Sequence, residues 1–507
     1  METLFNTDKR IRLGVWGLGR GSNFIHSAKL CNIDVVAGCD IHDEIRERFQ
    51  QMVPDAKCTA DEKEFLSYDM DAVLIATYFP DHARHTIMAL EAGKHVMCEV
   101  TAFMTPADAV KVIEAVEKSG KVYNLLENYP FTKEYMYLQN KWQEGFFGDF
   151  VYGEVEYVHE CRCLTYGYNI RPISIPVTPG YHVHNWRSSL NAHLYCTHSL
   201  GPAMYITGLR PVGVSALEDE INLPGLLHGV QKTVAPSMIK MSNGGLIRNL
   251  MGSTTNDYHR SMRMWGTRAG IEKIHDFKIR VGGSGSTGLF LDIDAKWDKL
   301  GEAAEKAGHG GGDFWELYYF AREILTGEPA FWNVYAAADV TMAGLMAIRS
   351  TKRNGEFIEI PDFRDKAIRE KYRNDMGDFQ FMDPTAIFPA GHDTAITGEF
   401  SAVMTRIYPL LGGGLPLFDS ALDGMNIYQD VKGAESKLKI RDAVNKAIQS
   451  LPQLAEDCRI ARKIMEAYPD SIGGKTIAKI FETHYMDKIF NYEKTIREMQ
   501  EWQASIC

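Results

Sequence analysis

Between Tyr157 and His198 the chain carries Tyr157, His159, His182, His184, His193, Tyr195 and His198. Phenol and imidazole are the side chains that accept and donate protons near neutral pH once their surroundings tune them. A lone histidine on a strand is more often a hydrogen-bonded core residue, so the density points to proton transfer by the set and assigns no role to each member. A second group of residues lies upstream. Arg12-Leu-Gly-Val-Trp16 runs into Gly17-Leu-Gly19-Arg-Gly21-Ser22, and a second apolar run, Val35-Val-Ala-Gly-Cys-Asp40, ends in an acid. Strand, glycine turn, helix, strand and carboxylate at that spacing make a dinucleotide-binding unit. Its glycines permit a tight turn and let backbone approach a pyrophosphate seated on the helix N-terminus. Asp40 is expected to bond the adenosine ribose hydroxyls and repel a 2′-phosphate, which favours NAD over NADP. The third glycine comes one position early, because Ser22 stands where the usual pattern has glycine.

The elements that must position these groups alternate strand and helix from about residue 10 to 128. Asp71–Ala76, Lys94–Cys98 and Lys121–Leu126 read as buried parallel strands. Asp81 is expected to cap a helix closing at Gly93, and Thr105-Pro106 to cap and open one ending at Gly120. Thr77, Glu99, Glu127 and Asn128 then fall at the carboxyl ends of strands, where such sheets bind ligands. From about 150 to 362 the texture changes to alternating strands (Val151–His159, Thr233–Lys240, Leu246–Leu250) followed by two amphipathic helices. Residues beyond about 363 read as mostly helical and carry no motif tied to chemistry. Gly282–Gly288, rich in Gly and Ser, is the expected mobile loop. The expected architecture is an α/β Rossmann domain over 1–130, an α+β domain with a mostly antiparallel open-faced sheet over 131–363, and a helical extension over 364–507.

The 507 residues suffice for several cores, and 45% hydrophobic with 24% charged residues is ordinary for a globular chain. A net charge of −11 argues against nucleic acid, which needs a basic face. No stretch approaches the roughly 20 apolar residues of a membrane span, and the N-terminus lacks the order of a signal peptide. Nine scattered cysteines form no disulfide framework, so a reduced, cytoplasmic protein is expected. His182-x-His184 could share one face as metal ligands do, with His193, Cys161 and Cys163 as further donors. The spacings match no closed site and no metal is expected.

The glycine turn, Thr77-x-x-Pro80 and Gly93-Lys-His-Val…Glu99, with an open-faced sheet domain behind them, resemble the glucose–fructose oxidoreductase/inositol dehydrogenase (Gfo/Idh/MocA) family. Most members carry Glu-Lys-Pro after the fourth strand, and the lysine assists oxidation of a sugar hydroxyl. This chain has Glu99-Val100-Thr101, and the Asp-x-Gly-x-His signature is replaced by Leu194-Tyr-Cys-Thr-His198-Ser-Leu-Gly-Pro202. Those departures resemble the NAD-dependent glycosidase branch, typified by bacterial α-N-acetylgalactosaminidases (glycoside hydrolase family 109-like). Tyr195 and His198 match its active-site string, with Cys196 for Pro and Ser199 for Gly. Glu127-Asn128, Tyr157-x-His159, Gly308-His309-Gly-Gly-Gly-Asp313-Phe314, Val334-Tyr335 and Ile360-Pro-Asp-Phe363 match further segments, and the likeness spans roughly residues 10 to 363.

The resemblance implies a glycosidase that uses NAD without net redox change, acting on small glycosides by C3 oxidation, C2 deprotonation with elimination, water addition and re-reduction. It implies His198 as the base for the 3-OH, Tyr195 or Tyr157 as the base at C2, and His159 as their partner or the acid for the leaving group. Expected cofactor contacts are Gly17, Gly19, Arg20, Gly21, Asp40, Thr77, Pro80, His82, Glu99, Glu127 and Asn128. Expected substrate contacts are Asn128, Arg162, His184, Trp186, Arg187, Tyr195 and His309. Asp313 opens a helix and could equally be a simple cap. A homodimer or homotetramer is also implied. Rival readings are a sugar oxidoreductase, a lyase acting on 3-keto glycosides, and an NAD-binding scaffold.

Overall fold

A computed structural model describes residues 4–160, 162–166, 187, 191–252, 261–274, 276–281, 288–409 and 413–506. The loop expected at Gly282–Gly288 therefore lies, except for Gly288, outside the described residues.

Six parallel strands form the first sheet: β1 (Ile11–Trp16), β2 (Ile33–Cys39), β3 (Lys57–Thr59), β4 (Ala72–Ile75), β5 (His95–Glu99) and β6 (Tyr123–Leu126), in the order β3-β2-β1-β4-β5-β6. β1 lies between β2 and β4, so the chain reverses direction across the sheet there and leaves a crevice at the strand ends, where ligands bind in such folds. β4 is buried on every residue, as a parallel strand covered by helices on both faces must be. Thr105 Oγ1 caps the Pro106–Ser119 helix through the Asp108 amide at 3.0 Å, and Gly120 closes it at φ 62°. Asp81 departs from expectation: it makes no side-chain cap and faces Arg84 at 3.4 Å instead.

The second sheet has nine strands in the order β14-β13-β12-β11-β7-β10-β9-β8-β15. They are β7 (Phe150–Val158), β8 (Pro211–Ala216), β9 (Val234–Met241), β10 (Leu246–Gly252), β11 (Met262–Gly266), β12 (Ala269–Lys273), β13 (Phe277–Val281), β14 (Leu289–Asp292) and β15 (Ile358–Glu359). Every pairing is antiparallel except β7 with β10. Val155, Ile247, Ile239 and Met264 point inward and are buried against helices. The opposite face carries Met238, Leu246 and Trp265 exposed, with Arg248 paired to Glu156. One apolar core runs through both sheets, and a second joins the helices after residue 386 to Cys163, Tyr166 and Leu227. Among the described residues no helix is long and apolar enough to cross a membrane.

Candidate active site

The three glycines of the first turn have three different duties. Gly17 sits at φ 90°, and a Cβ there would come within 2.3 Å of the Ala76 carbonyl oxygen. Gly21 packs on β1, where a Cβ would meet Val15 at 2.5 Å. Gly19 has nothing within 4 Å of an added Cβ and lines a cavity of about 600 Å³. That open backbone is the cradle a pyrophosphate needs. Asp40 braces the turn from behind, accepting from the Leu18 and His42 amides at 2.9 Å each, and is not itself on the cavity wall. Pro80 is the middle residue of the Phe79–Asp81 helical turn after β4 and also lies off the wall.

Thr77 does line the cavity. His85 Nε2 accepts from Arg84 at 2.6 Å, so its Nδ1 carries the proton donated to Thr77 Oγ1 at 2.8 Å. Burial, then Arg84, pushes His85 down to about 3, which keeps this ring neutral. His82 is a strut. Its ring is buried, with Nδ1 2.8 Å from the Thr101 carbonyl and Nε2 3.1 Å from that of Thr77. It ties together the two loops that follow β4 and β5.

Arg20 reaches across the crevice. It donates to Glu99 Oε1 at 2.8 Å and, through both terminal nitrogens, to Asp313 at 2.7 and 2.9 Å. Asp313 is thus no helix cap: the N-cap of the Gly312–Thr326 helix is Gly311, which makes no side-chain bond. Burial works to raise the Asp313 carboxyl, but hydrogen bonds from His309 and Arg20 prevail and hold it well below the usual range. One turn on, Glu316 is buried, and both its carboxyl oxygens lack a partner among the described residues. Burial, then the charges of Glu99 and Asp313, pushes that carboxyl well above its ordinary value, so it is held as the neutral acid.

The proton-transfer groups meet on the same cavity. His198 is the second residue of the Thr197–Thr207 helix. That helix approaches the end of β6 at Gly201, where a Cβ would lie 3.2 Å from Glu127 Cγ. His198 Nδ1 consequently donates to Glu127 at 2.8 and 3.0 Å, leaving Nε2 as the ring nitrogen that can act as a base. Glu127, expected among the cofactor contacts, is fully buried and off the wall, with its carboxylate turned to His198. Tyr129, Tyr157 and Tyr195 surround the imidazole at 4.8, 4.9 and 5.2 Å between ring centres. Tyr157 comes from the inward face of β7, and His159 follows it with Nδ1 2.8 Å from the Glu160 carbonyl. The Arg187 guanidinium lies 5.4 Å from the Tyr195 ring centre. Asn128 lines the cavity with Oδ1 buried and unpartnered among the described residues. His309 lines it too, held by Asp313 at 3.0 Å.

Arg162 does not reach the cavity. Its guanidinium is buried, paired with Glu160 at 2.7 Å and donating to the Pro224 carbonyl at 2.6 Å. His182, His184 and Trp186 lie outside the described residues. Cys196 is no nucleophile, since burial pushes its thiol up to about 12 and Sγ faces the Val340 carbonyl. Among the described residues no group of three metal-ligating side chains occurs. The sequence reading missed Thr165, Leu226, Gln231 and Lys232 from the second domain, and Asn23, Ile45 and Arg48 from the Rossmann domain, all of which line the cavity. None belongs to a motif; each arrives through a loop or a helix face that only tertiary packing brings round.

The unhindered backbone at Gly19 and the orphaned Asn128 Oδ1 fit a dinucleotide. Residues 11–126 match a family model described as oxidoreductase family, NAD-binding Rossmann fold, and residues 293–370 match glycosyl hydrolase 109, C-terminal domain. A glycosyl hydrolase family 109 protein of Shewanella putrefaciens is 27% identical over 398 residues, covering 70% of this chain and 85% of that protein. An alpha-N-acetylgalactosaminidase of Shewanella oneidensis is similar to the same extent, 27% over 398 residues with 70% and 85% coverage. The solved structure of a levoglucosan dehydrogenase, in complex with NADH and levoglucosan, shares the fold with a TM-score of 0.57 and 18% identity, covering 70% of this chain and 100% of that one. The chain therefore resembles the Gfo/Idh/MocA oxidoreductases in its NAD-binding Rossmann segment, residues 11–126, and glycosyl hydrolase family 109 in residues 293–370.

Proposed function

We propose that the protein is an NAD-dependent glycosidase for small glycosides. The observation that carries this reading is the buried Glu127–His198 pair, ringed by phenols, on the same cavity that Gly19 lines. Two further features support it. Val100 lines the cavity where most relatives carry the lysine that assists net oxidation. Glu99 is the sole carboxylate among the described lining residues, and Arg20 holds it, so the two free carboxylates of a conventional glycosidase are missing there.

Gly19 and Asn128 would hold NAD⁺, which would supply a hydride acceptor for C3 of the sugar and a hydride donor at the end of the cycle. The chain supplies the proton chemistry. His198 Nε2 takes the 3-OH proton while Glu127 holds Nδ1–H. With C3 a carbonyl, the C2 proton becomes acidic; Tyr195 takes it, and the C1 substituent leaves. Tyr195 is preferred to Tyr157 because a phenol base needs a positive neighbour, and Arg187 stands over its ring. Tyr157 and His159 exchange protons with the departing group from the adjoining wall, and water then adds at C1 as the proton returns to C2.

Incubation with a panel of nitrophenyl glycosides and NAD⁺ in D₂O, followed by NMR, tests the reading. Aglycone release, deuterium at C2 and no accumulated NADH are expected. Accumulated NADH with the glycosidic bond intact would overturn it in favour of an oxidoreductase.

A further inference from the structure

The helices after residue 370 lie beyond both matched family segments, yet they pack against the 162–166 and 222–232 segments that line the cavity. Tyr408, which follows the Phe400–Ile407 helix, is buried, and its Oη lies 2.6 Å from His484 Nε2. His484 Nδ1 lies 2.5 Å from Asp419. Burial raises the Tyr408 phenol far above its ordinary value, so it stays protonated and donates to the imidazole, whose own proton rests on Nδ1 against the carboxylate. The phenol ring lies 4.1 Å from the Arg162 guanidinium, and a Cβ on Gly225 would come within 2.6 Å of it.

Both neighbours lead to the site. Arg162 holds Glu160, whose carbonyl receives His159 Nδ1–H, and also holds the Pro224 carbonyl. Pro224 and Gly225 open the 222–232 loop, which brings Leu226, Gln231 and Lys232 to the cavity. A second tie runs from the His228 amide to Thr476 Oγ1 at 3.0 Å. Gln231 in turn donates to the Arg187 carbonyl at 3.0 Å, beside Tyr195.

We propose that the C-terminal helices are part of the active site: through Tyr408 and His484 they position the 222–232 loop and His159, and thereby decide which sugar the cavity accepts. The sugar in this statement rests on the glycosidase reading; the positioning does not. Tyr408 and His484 are positioning residues, two or more contacts removed from the reacting atoms. Because they act on the wall that the second domain contributes, substrate binding should respond to them while cofactor binding does not.

The test compares full-length Tyr408→Leu and Tyr408→Phe with the parent by hydrogen exchange, NAD⁺ titration and steady-state kinetics on the best nitrophenyl glycoside. Amides of residues 162–166 and 222–232 are expected to exchange about tenfold faster in Tyr408→Leu, with the glycine turn unchanged. NAD⁺ affinity should stay within about twofold, while KM rises about tenfold and kcat changes less than about threefold. Tyr408→Phe keeps the ring on Arg162 and Gly225 but loses the bond to His484, so both effects should appear at a size between those of the parent and of Tyr408→Leu. Unchanged exchange in those two segments would overturn the proposal, as would acceleration spread evenly over both sheets. If the parent cleaves no glycoside, the glycosidase reading fails on its own, and the exchange measurement still decides the role of the tail.

Discussion

Gly17 and Gly19 differ by two positions, and their substitution should separate folding from cofactor binding. Ala at position 17 puts a Cβ on the Ala76 carbonyl at positive φ, so Gly17→Ala should fail to fold. Ala at position 19 meets nothing in the chain and enters a helical turn, where Ala is favoured over Gly. Gly19→Ala should therefore keep its thermal stability and lose NAD⁺ affinity by roughly tenfold or more, because the added methyl stands where the pyrophosphate approaches. Calorimetric titration checks this; undiminished affinity would remove Gly19 from the cofactor site. Glu127 provides the second case. Glu127→Gln keeps the shape but replaces the charge-assisted bond to His198 by a neutral one, so kcat should fall about 10²-fold with NAD⁺ affinity intact. Equal losses in both would mean that Glu127 supports the fold and not the base.

At the scale of elements, the Gly312–Thr326 helix closes the crevice with two acids of opposite character. Asp313 is charged and clamps Arg20; Glu316, on the next turn, is buried as the neutral acid. Their titrations have opposite consequences for stability. Asp313, with its folded value depressed, contributes stability that is complete above the ordinary carboxyl value of about 4 and is lost as pH falls below it. Glu316, with its folded value raised, binds a proton in the folded state that the unfolded chain releases above pH ~4, so its contribution declines as pH rises. Glu316→Gln has no proton to lose. Its stability relative to the parent should increase with pH, by at most about 1.4 kcal/mol per unit, and denaturant melts at pH 5 and pH 8 measure the difference. The same difference at both values would show that Glu316 is ionised in the folded protein.

At the scale of the whole molecule, the second apolar core takes in Cys163, Tyr166 and Leu227 together with the tail helices, so the tail and the segments behind the cavity wall are packed as one piece. The Rossmann end is joined to the remainder by the shared first core and by Arg20. A ligand that binds only the folded form raises stability by mass action, about 2.7 kcal/mol at a hundredfold excess over its Kd. For a chain of 507 residues unfolding as one unit, that amounts to a rise of about 2.5 °C in Tm. Adding NAD⁺ should produce this rise in the parent and at most about half of it in Gly19→Ala at the same concentration, as differential scanning fluorimetry would report. Matching rises in the two proteins would place the cofactor away from the first turn.

Local sequence by itself determined the parallel sheet, because buried runs such as Ala72–Ile75 and capped helices such as Pro106–Ser119 are specified by apolar period and end signals a few residues long. It also determined the glycine turn and the Tyr195/His198 pair. Tertiary structure alone decided the partnerships. Arg20 and Asp313 lie 293 positions apart and Glu127 and His198 lie 71 apart, and no local period encodes a meeting of that kind. The four strands β11–β14 went unread because they are only four or five residues long and mix charged or glycine residues into their alternation. Arg162, expected at the sugar, was turned outward to Tyr408 by the tail, since a guanidinium shielded from water settles where a carboxylate, a carbonyl and an aromatic face are all within reach.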